Sequence, residues 1–129
     1  MKLSESKFLI IISISIGIKN EEKMDIQLDQ KDFQETIENN KKVLIDFYAD
    51  WCGPCQTLLP TVHKLAEEFE GDVIIKKVNV DQNGELAAQF GVRSIPTLVY
   101  LSKGKEISRQ NGLVSENDLR TQLSQLKFA

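Results

Sequence analysis

The chain has 129 residues, of which 41% are hydrophobic and 27% charged, and its net charge is −3. That length and balance fit one globular domain able to bury a single core without staples. No basic block is present, so the electrostatic footprint of nucleic-acid binding is missing and nucleic acid is excluded as a partner.

Residues 1–23 read differently from the rest and are separated here from a domain at 24–129. Lys2 and Lys7 precede an apolar run from Phe8 to Ile18, interrupted by Ser13 and Ser15, and a polar run from Lys19 to Lys23 follows. Eleven residues are too few to span a bilayer as a helix, but they match the apolar region of a secretory signal. Ser15 and Gly17 could serve a cleavage enzyme, although Ala-x-Ala is absent, and no cysteine closes the run for lipoprotein processing. Three readings stay open: a targeting or anchoring segment, a misassigned start with Met24 as the true one, and a structural extension. If the segment persists, its isoleucines need burial or membrane, because exposed they would form an aggregation-prone β segment.

From residue 25 the elements alternate. A short first strand is expected near Ile26-Gln27-Leu28. Asp29 to Asp32 opens a helix whose Phe33 and Ile37 share a face, and Asn39 to Lys42 breaks it. Val43 to Tyr48 is continuous, apolar and flanked by polar residues, as a buried strand would be, with one carboxylate, Asp46, inside it. Pro54 to Phe69 carries Leu58, Leu59, Val62, Leu65, Ala66 and Phe69 at helical spacing, with Pro60 placed to kink the helix. Gly71-Asp72 ends it. Val73 to Val80 predicts the next strand, Gln82 to Phe90 a short helix stopped by Gly91, and Ile95 to Leu101 a strand with Pro96 at its entry. Ser102 to Lys105 predicts a hairpin turn into an edge strand, Glu106 to Gln110. Ser115 to Asp118 resembles a capping box ahead of a helix carrying Leu119, Leu123 and Leu126. The order β-α-β-α-β-α-β-β-α predicts an α/β fold: parallel pairing with helices on both faces, then a hairpin that makes the sheet mixed.

The chemistry lies in Trp51-Cys52-Gly53-Pro54-Cys55, which holds both cysteines of the chain. A disulfide here would close a four-residue ring and stabilise by only about 2 kcal/mol, against ~3 for fifteen residues, so it is a poor staple. A structural zinc usually takes four ligands, and two cysteines with the single His63 fall short. A redox switch is the leading reading, with an incidental buried pair as the rival. Cys52 falls where the helix begins, so unpartnered first-turn N–H groups and the helix dipole favour its thiolate. That makes Cys52 the attacking nucleophile. Cys55, one turn on and more buried, would resolve the mixed disulfide. Pro54 suits the first helical turn and stiffens the ring, while Gly53 permits close approach of another chain.

Resolution requires Cys55 to lose a proton. Asp46 is the candidate base, because a carboxylate in an apolar strand is costly without a task or partner, and burial raises its pKa towards neutrality. A structural aspartate, or one reaching solvent, is the plainer alternative. Lys77 on the next strand could modulate Asp46, or could be an ordinary solvated lysine beside Lys76.

These residues closely resemble the thioredoxin family. The match runs through Asp46 to Cys55, Pro60, Val78-Asn79-Val80-Asp81 and Gly91-Val92-Arg93-Ser94-Ile95-Pro96-Thr97, with Gly104 and Gly112 in the late turns. It covers residues 25–129 and not the leader. The resemblance implies a thioredoxin fold with a mixed five-stranded sheet flanked by four helices. It implies a cis peptide before Pro96, leaving the Ile95 backbone to pair with an extended segment of a client, and an apolar docking rim of Trp51, Gly91, Val92, Ile95 and Gly112. It implies reduction of disulfides in client proteins by a monomer with no bound cofactor. Thioredoxin reductase, a flavoprotein, would recharge it, with NADPH as the ultimate donor. Gly-Pro between the cysteines resembles the reducing branch. Tyr48 stands where an aromatic residue, often tryptophan, is usual, Gln56 stands where a lysine or arginine is common, and cytosolic members lack a leader. The implied location is cytoplasmic if the leader is an artefact. Otherwise the protein is exported or membrane-associated and recharged by a membrane electron-transfer protein. A binding module within a larger assembly, with the dithiol idle, is the reading from another class.

Overall fold

A computed structural model describes residues 24–129. The expectations for residues 1–23 lie outside the described residues. The elements are α1 (Phe33–Asn39), β1 (Lys42–Tyr48), α2 (Gly53–Glu68), β2 (Ile74–Asn79), α3 (Gly84–Gln89), β3 (Thr97–Ser102), β4 (Lys105–Asn111) and α4 (Glu116–Lys127). The sheet runs β2-β1-β3-β4, with β1 and β2 parallel and the other two pairings antiparallel. The mixed sheet and the four helices agree with expectation.

The expected fifth strand is a correction: among the described residues the sheet has four strands. The segment near Ile26-Gln27-Leu28 adds one parallel bridge, Gln27 to Lys77. Two hydrogen bonds hold it, Lys77 N–H to the Ile26 carbonyl at 2.8 Å and Leu28 N–H to the Lys77 carbonyl at 2.9 Å. The chain then turns into a 3-10 helix at Gln30–Asp32, leaving no length for a ladder. That turn also delays α1 to Phe33, later than the Asp29–Asp32 opening suggested.

Strand alternation divides the core in two. Leu44, Ile75, Leu98 and Tyr100 face α2 and α4, packing against Leu58, Val62, Leu65, Leu119 and Leu123. Val43, Ile45, Phe47, Val78, Val99 and Leu101 face α1 and α3, packing on Phe33 and Leu86. Period 2 from Leu44 places Asp46 on the α2–α4 side, inside the apolar layer. The helix α2 runs on through Pro60, with Leu58, Val62, Leu65 and Ala66 buried on either side of it. Lys103 and Gly104 both have positive φ, 53° and 80°, the geometry of a two-residue hairpin turn matched to strand twist. The Ser115 side chain accepts from Asp118 N–H at 3.1 Å and caps α4.

Candidate active site

The carboxyl end of β1 delivers the chain to the head of α2, where a carboxyl-edge crevice forms beside the entry to antiparallel β3. Cys52 is the N-cap of α2, in extended conformation, with Pro54 in the first turn. Its backbone N–H donates to the Ala49 carbonyl at 3.2 Å, and its carbonyl accepts from Gln56 N–H at 3.1 Å. The Cys55 N–H donates to Cys52 Sγ at 3.2 Å. An orphan first-turn donor of the helix is thus aimed at the sulfur, as the sequence suggested.

Cys52 and Cys55 form a disulfide, with Cα atoms 5.3 Å apart. Cys52 is 5% exposed and Cys55 0%. Gly53 and Pro54 are exposed between them. Ile95 reaches the pair from across the crevice, its carbonyl oxygen 3.8 Å from Cys52 Sγ. The Ile95–Pro96 peptide is cis. Tyr48, Ala49, Cys52 and Cys55 form one small cluster, with Val80 and Ile95 packed on it.

A shallow groove beside the disulfide is lined by Trp51, Val80, Ala87, Val92, Arg93, Ser94 and Ile95. It brings together three of the predicted rim residues, Trp51, Val92 and Ile95. Trp51 is 72% exposed, unlike a core tryptophan. Gly91, with φ of 62°, turns the chain out of α3 into Val92 without lining the groove. The Gly112 N–H donates to the Pro96 carbonyl at 2.8 Å, placing Gly112 behind the proline. Sequence reasoning assigned no role to Val80, Ala87, Arg93 or Ser94. Three of them stand inside quoted motifs, but only the folded crevice puts them on one wall.

Asp46 is fully buried, and neither carboxylate oxygen has a hydrogen-bond partner. Burial raises its pKa to about 7, opposed by the positive charge of Lys77. Lys77 is the register partner of Asp46 across β1–β2. Tyr48, on the same side, is pushed above the ordinary tyrosine range by burial, and its hydroxyl donates to Gln27 Oε1 at 2.9 Å. Among the described residues no group of three or more His, Cys, Asp or Glu side chains could hold a metal ion. No helix among them is long and apolar enough to cross a membrane.

The thioredoxin family model matches residues 25–125. A thioredoxin from Chlorobaculum thiosulfatiphilum is 46% identical over 88 residues, 67% of this chain and 82% of that protein. One from Haemophilus influenzae is 41% identical over 101 residues, 78% of this chain and 94% of that protein. In solved structures, a mutant thioredoxin from Halobacterium salinarum superposes with a TM-score of 0.74 at 38% identity, over 80% of this chain and 90% of that one. Joined to a disulfide seated at the head of a helix, these likenesses show that the chain belongs to the thioredoxin family and is a protein-disulfide reductase working by thiol–disulfide exchange.

Proposed function

We propose that Cys52 is the attacking nucleophile and Cys55 the resolving thiol. The observation that carries this is the asymmetry of the pair: Cys52 caps α2, receives an N–H at its sulfur and keeps the exposed edge, whereas Cys55 has none. In the reduced protein, the Cys52 thiolate attacks a client disulfide, forms a mixed disulfide and expels one client thiolate. Cys55 then gives up its proton and attacks Cys52 Sγ. The Cys52–Cys55 bond closes and the second client thiolate leaves, so two electrons pass to the client.

Asp46 is the proposed acceptor of the Cys55 proton. A carboxyl titrating at about 7 is populated in both forms near neutrality, as a base that must also return its proton requires. Lys77 is the proposed modulator of that titration. The docking surface is the groove bounded by Trp51, Val92 and Ile95. Gly53 and Pro54 present the disulfide to it, and Gly91, Pro96 and Gly112 shape its backbone.

Thioredoxin reductase, drawing on NADPH, is the proposed source of electrons, with the protein acting as a monomer on disulfide-containing clients. If translation starts at Met24, the 24–129 domain works in the cytoplasm. If residues 1–23 direct export or anchoring, a membrane electron-transfer protein takes the reductase's place. Intact mass read together with cell fractionation separates these cases: a shortened species outside the cytosol supports export, whereas a 24–129 species in the cytosol supports the Met24 start. For the mechanism, Asp46→Ala is expected to slow release of the mixed disulfide more than its formation. Equal slowing of both steps in stopped-flow traces overturns the base assignment. A Cys52→Ser/Cys55→Ser protein that kept its biological activity would favour the binding-module reading instead.

A further inference from the structure

The ammonium of Lys77 does not sit on the carboxylate it faces. Asp46 and Lys77 are register partners on adjacent parallel strands, where same-face side chains stand about 5 Å apart at their roots. A lysine there can reach its neighbour's carboxylate, yet both Asp46 oxygens lack a hydrogen-bond partner. Lys77 Nζ instead lies 3.4 Å from His63 Nε2 on α2 and 5.5 Å from the centroid of the Tyr48 ring. The Lys77 backbone is pinned on its other edge by the Ile26 and Leu28 hydrogen bonds, and Gln27 Nε2 adds a third contact at 3.4 Å to the Lys77 carbonyl. The strand is therefore fixed, and the side chain alone decides where the charge goes.

We propose that His63 is a positioning residue for the reaction: it accepts the Lys77 ammonium at Nε2 and holds that charge off Asp46, so the buried carboxyl has no direct ionic partner. Acceptance at Nε2 requires the imidazole tautomer with its proton on Nδ1. The Tyr48 ring supplies the second wall by its π face. Among the described residues, the titratable groups placed around Lys77 and Asp46 are Tyr48 from β1, His63 from α2 and Tyr100 from β3, which Asp46 also influences electrostatically. Only Lys77 among them brings a fixed positive charge. Moving that charge on to the carboxylate would favour the ionised form and make Asp46 a weaker base.

This inference rests on the assignment of Asp46 as the base, but it is read by a different measurement, so either can fail alone. The test is a carboxyl titration of Asp46 by carbon NMR in the full-length reduced protein. His63→Leu removes the acceptor, and the Asp46 titration midpoint is expected to fall by about one pH unit. His63→Gln, which keeps an acceptor oxygen, is expected to return the midpoint towards the parent value. In the Lys77→Met background, His63→Leu is expected to have no effect. If His63→Leu does not fold, His63→Ala gives the same comparison. A midpoint that stays or rises, a fall that persists without Lys77, or a Gln variant that behaves like Leu would each overturn the proposal.

Discussion

The indole N–H of Trp51 donates to Asp81 Oδ2 at 2.8 Å, although the ring itself is 72% exposed. An exposed aromatic ring would otherwise sample several rotamers, and binding a client would have to freeze it. The hydrogen bond to Asp81, from the loop after β2, sets the ring against the groove in advance. Asp81→Ala is therefore expected to raise KM for a protein disulfide about three-fold while leaving kcat unchanged, in line with ~0.5–1.5 kcal/mol for one hydrogen bond. Reduction of a small-molecule disulfide, which does not need the groove, should be unaffected. Equal loss on both substrates would mean that Asp81 acts on the cysteines and not on docking.

The two cysteines should fail differently. Cys52→Ser removes the group capped by the Cys55 N–H and is expected to abolish the reductase outright. Cys55→Ser leaves the nucleophile but no resolving thiol, so a covalent complex with an oxidised client should accumulate. Mass spectrometry reads the adduct as client plus chain, cleaved by added dithiol. An adduct on Cys55 in the Cys52→Ser protein would reverse the assigned roles.

Much of this site could be read from residue order. Cys52 at the head of α2 follows from a strand, a short turn and an apolar period, all visible between Val43 and Phe69. The burial of Asp46 follows from the continuous apolar run around it, and its parity with Leu44 puts it in the α2–α4 layer. What could not be read depends on distant contacts. One short run near Ile26 does not reveal whether it makes a ladder or a single bridge, since that is settled by the 3-10 turn after it. The place of the Lys77 ammonium was equally hidden, because its partner His63 is on a helix fourteen residues earlier and earned attention only as an insufficient metal ligand.

Asp46 should also make stability depend on pH. Its carboxyl titrates at about 7 in the folded chain against 3.8 for an ordinary aspartate. Between those values the native state holds a proton that the unfolded state has released, so stability falls as pH rises from about 4 to about 7 and is level beyond. The accumulated penalty is a few kcal/mol, about 4 at most. Asp46→Asn cannot ionise and should escape it. Urea unfolding is expected to give near-equal stability for parent and variant at pH 4, and a more stable variant at pH 8. A difference that does not change with pH would show that the carboxyl is not protonated in the fold.

Gln56 offers the last test, since it stands immediately after Cys55 at the site's rim. Its side-chain amide donates to the Ala49 carbonyl at 3.4 Å, so the arm folds back beside the turn that carries Cys52. A lysine on the same path would place a cation near the sulfur without disturbing the capping N–H. Coulomb attraction then favours thiolate over thiol, while the cation costs α2 a little at the positive end of its dipole. Gln56→Lys is expected to raise the thiolate fraction of Cys52 at fixed pH, read by ultraviolet absorbance of the reduced protein, and to speed alkylation about two-fold at low salt. Because the added charge is exposed, screening over a Debye length of about 10 Å at 0.1 M salt should erase most of the gain as ionic strength rises. A rate gain that survives high salt would come from altered geometry of the turn and not from charge.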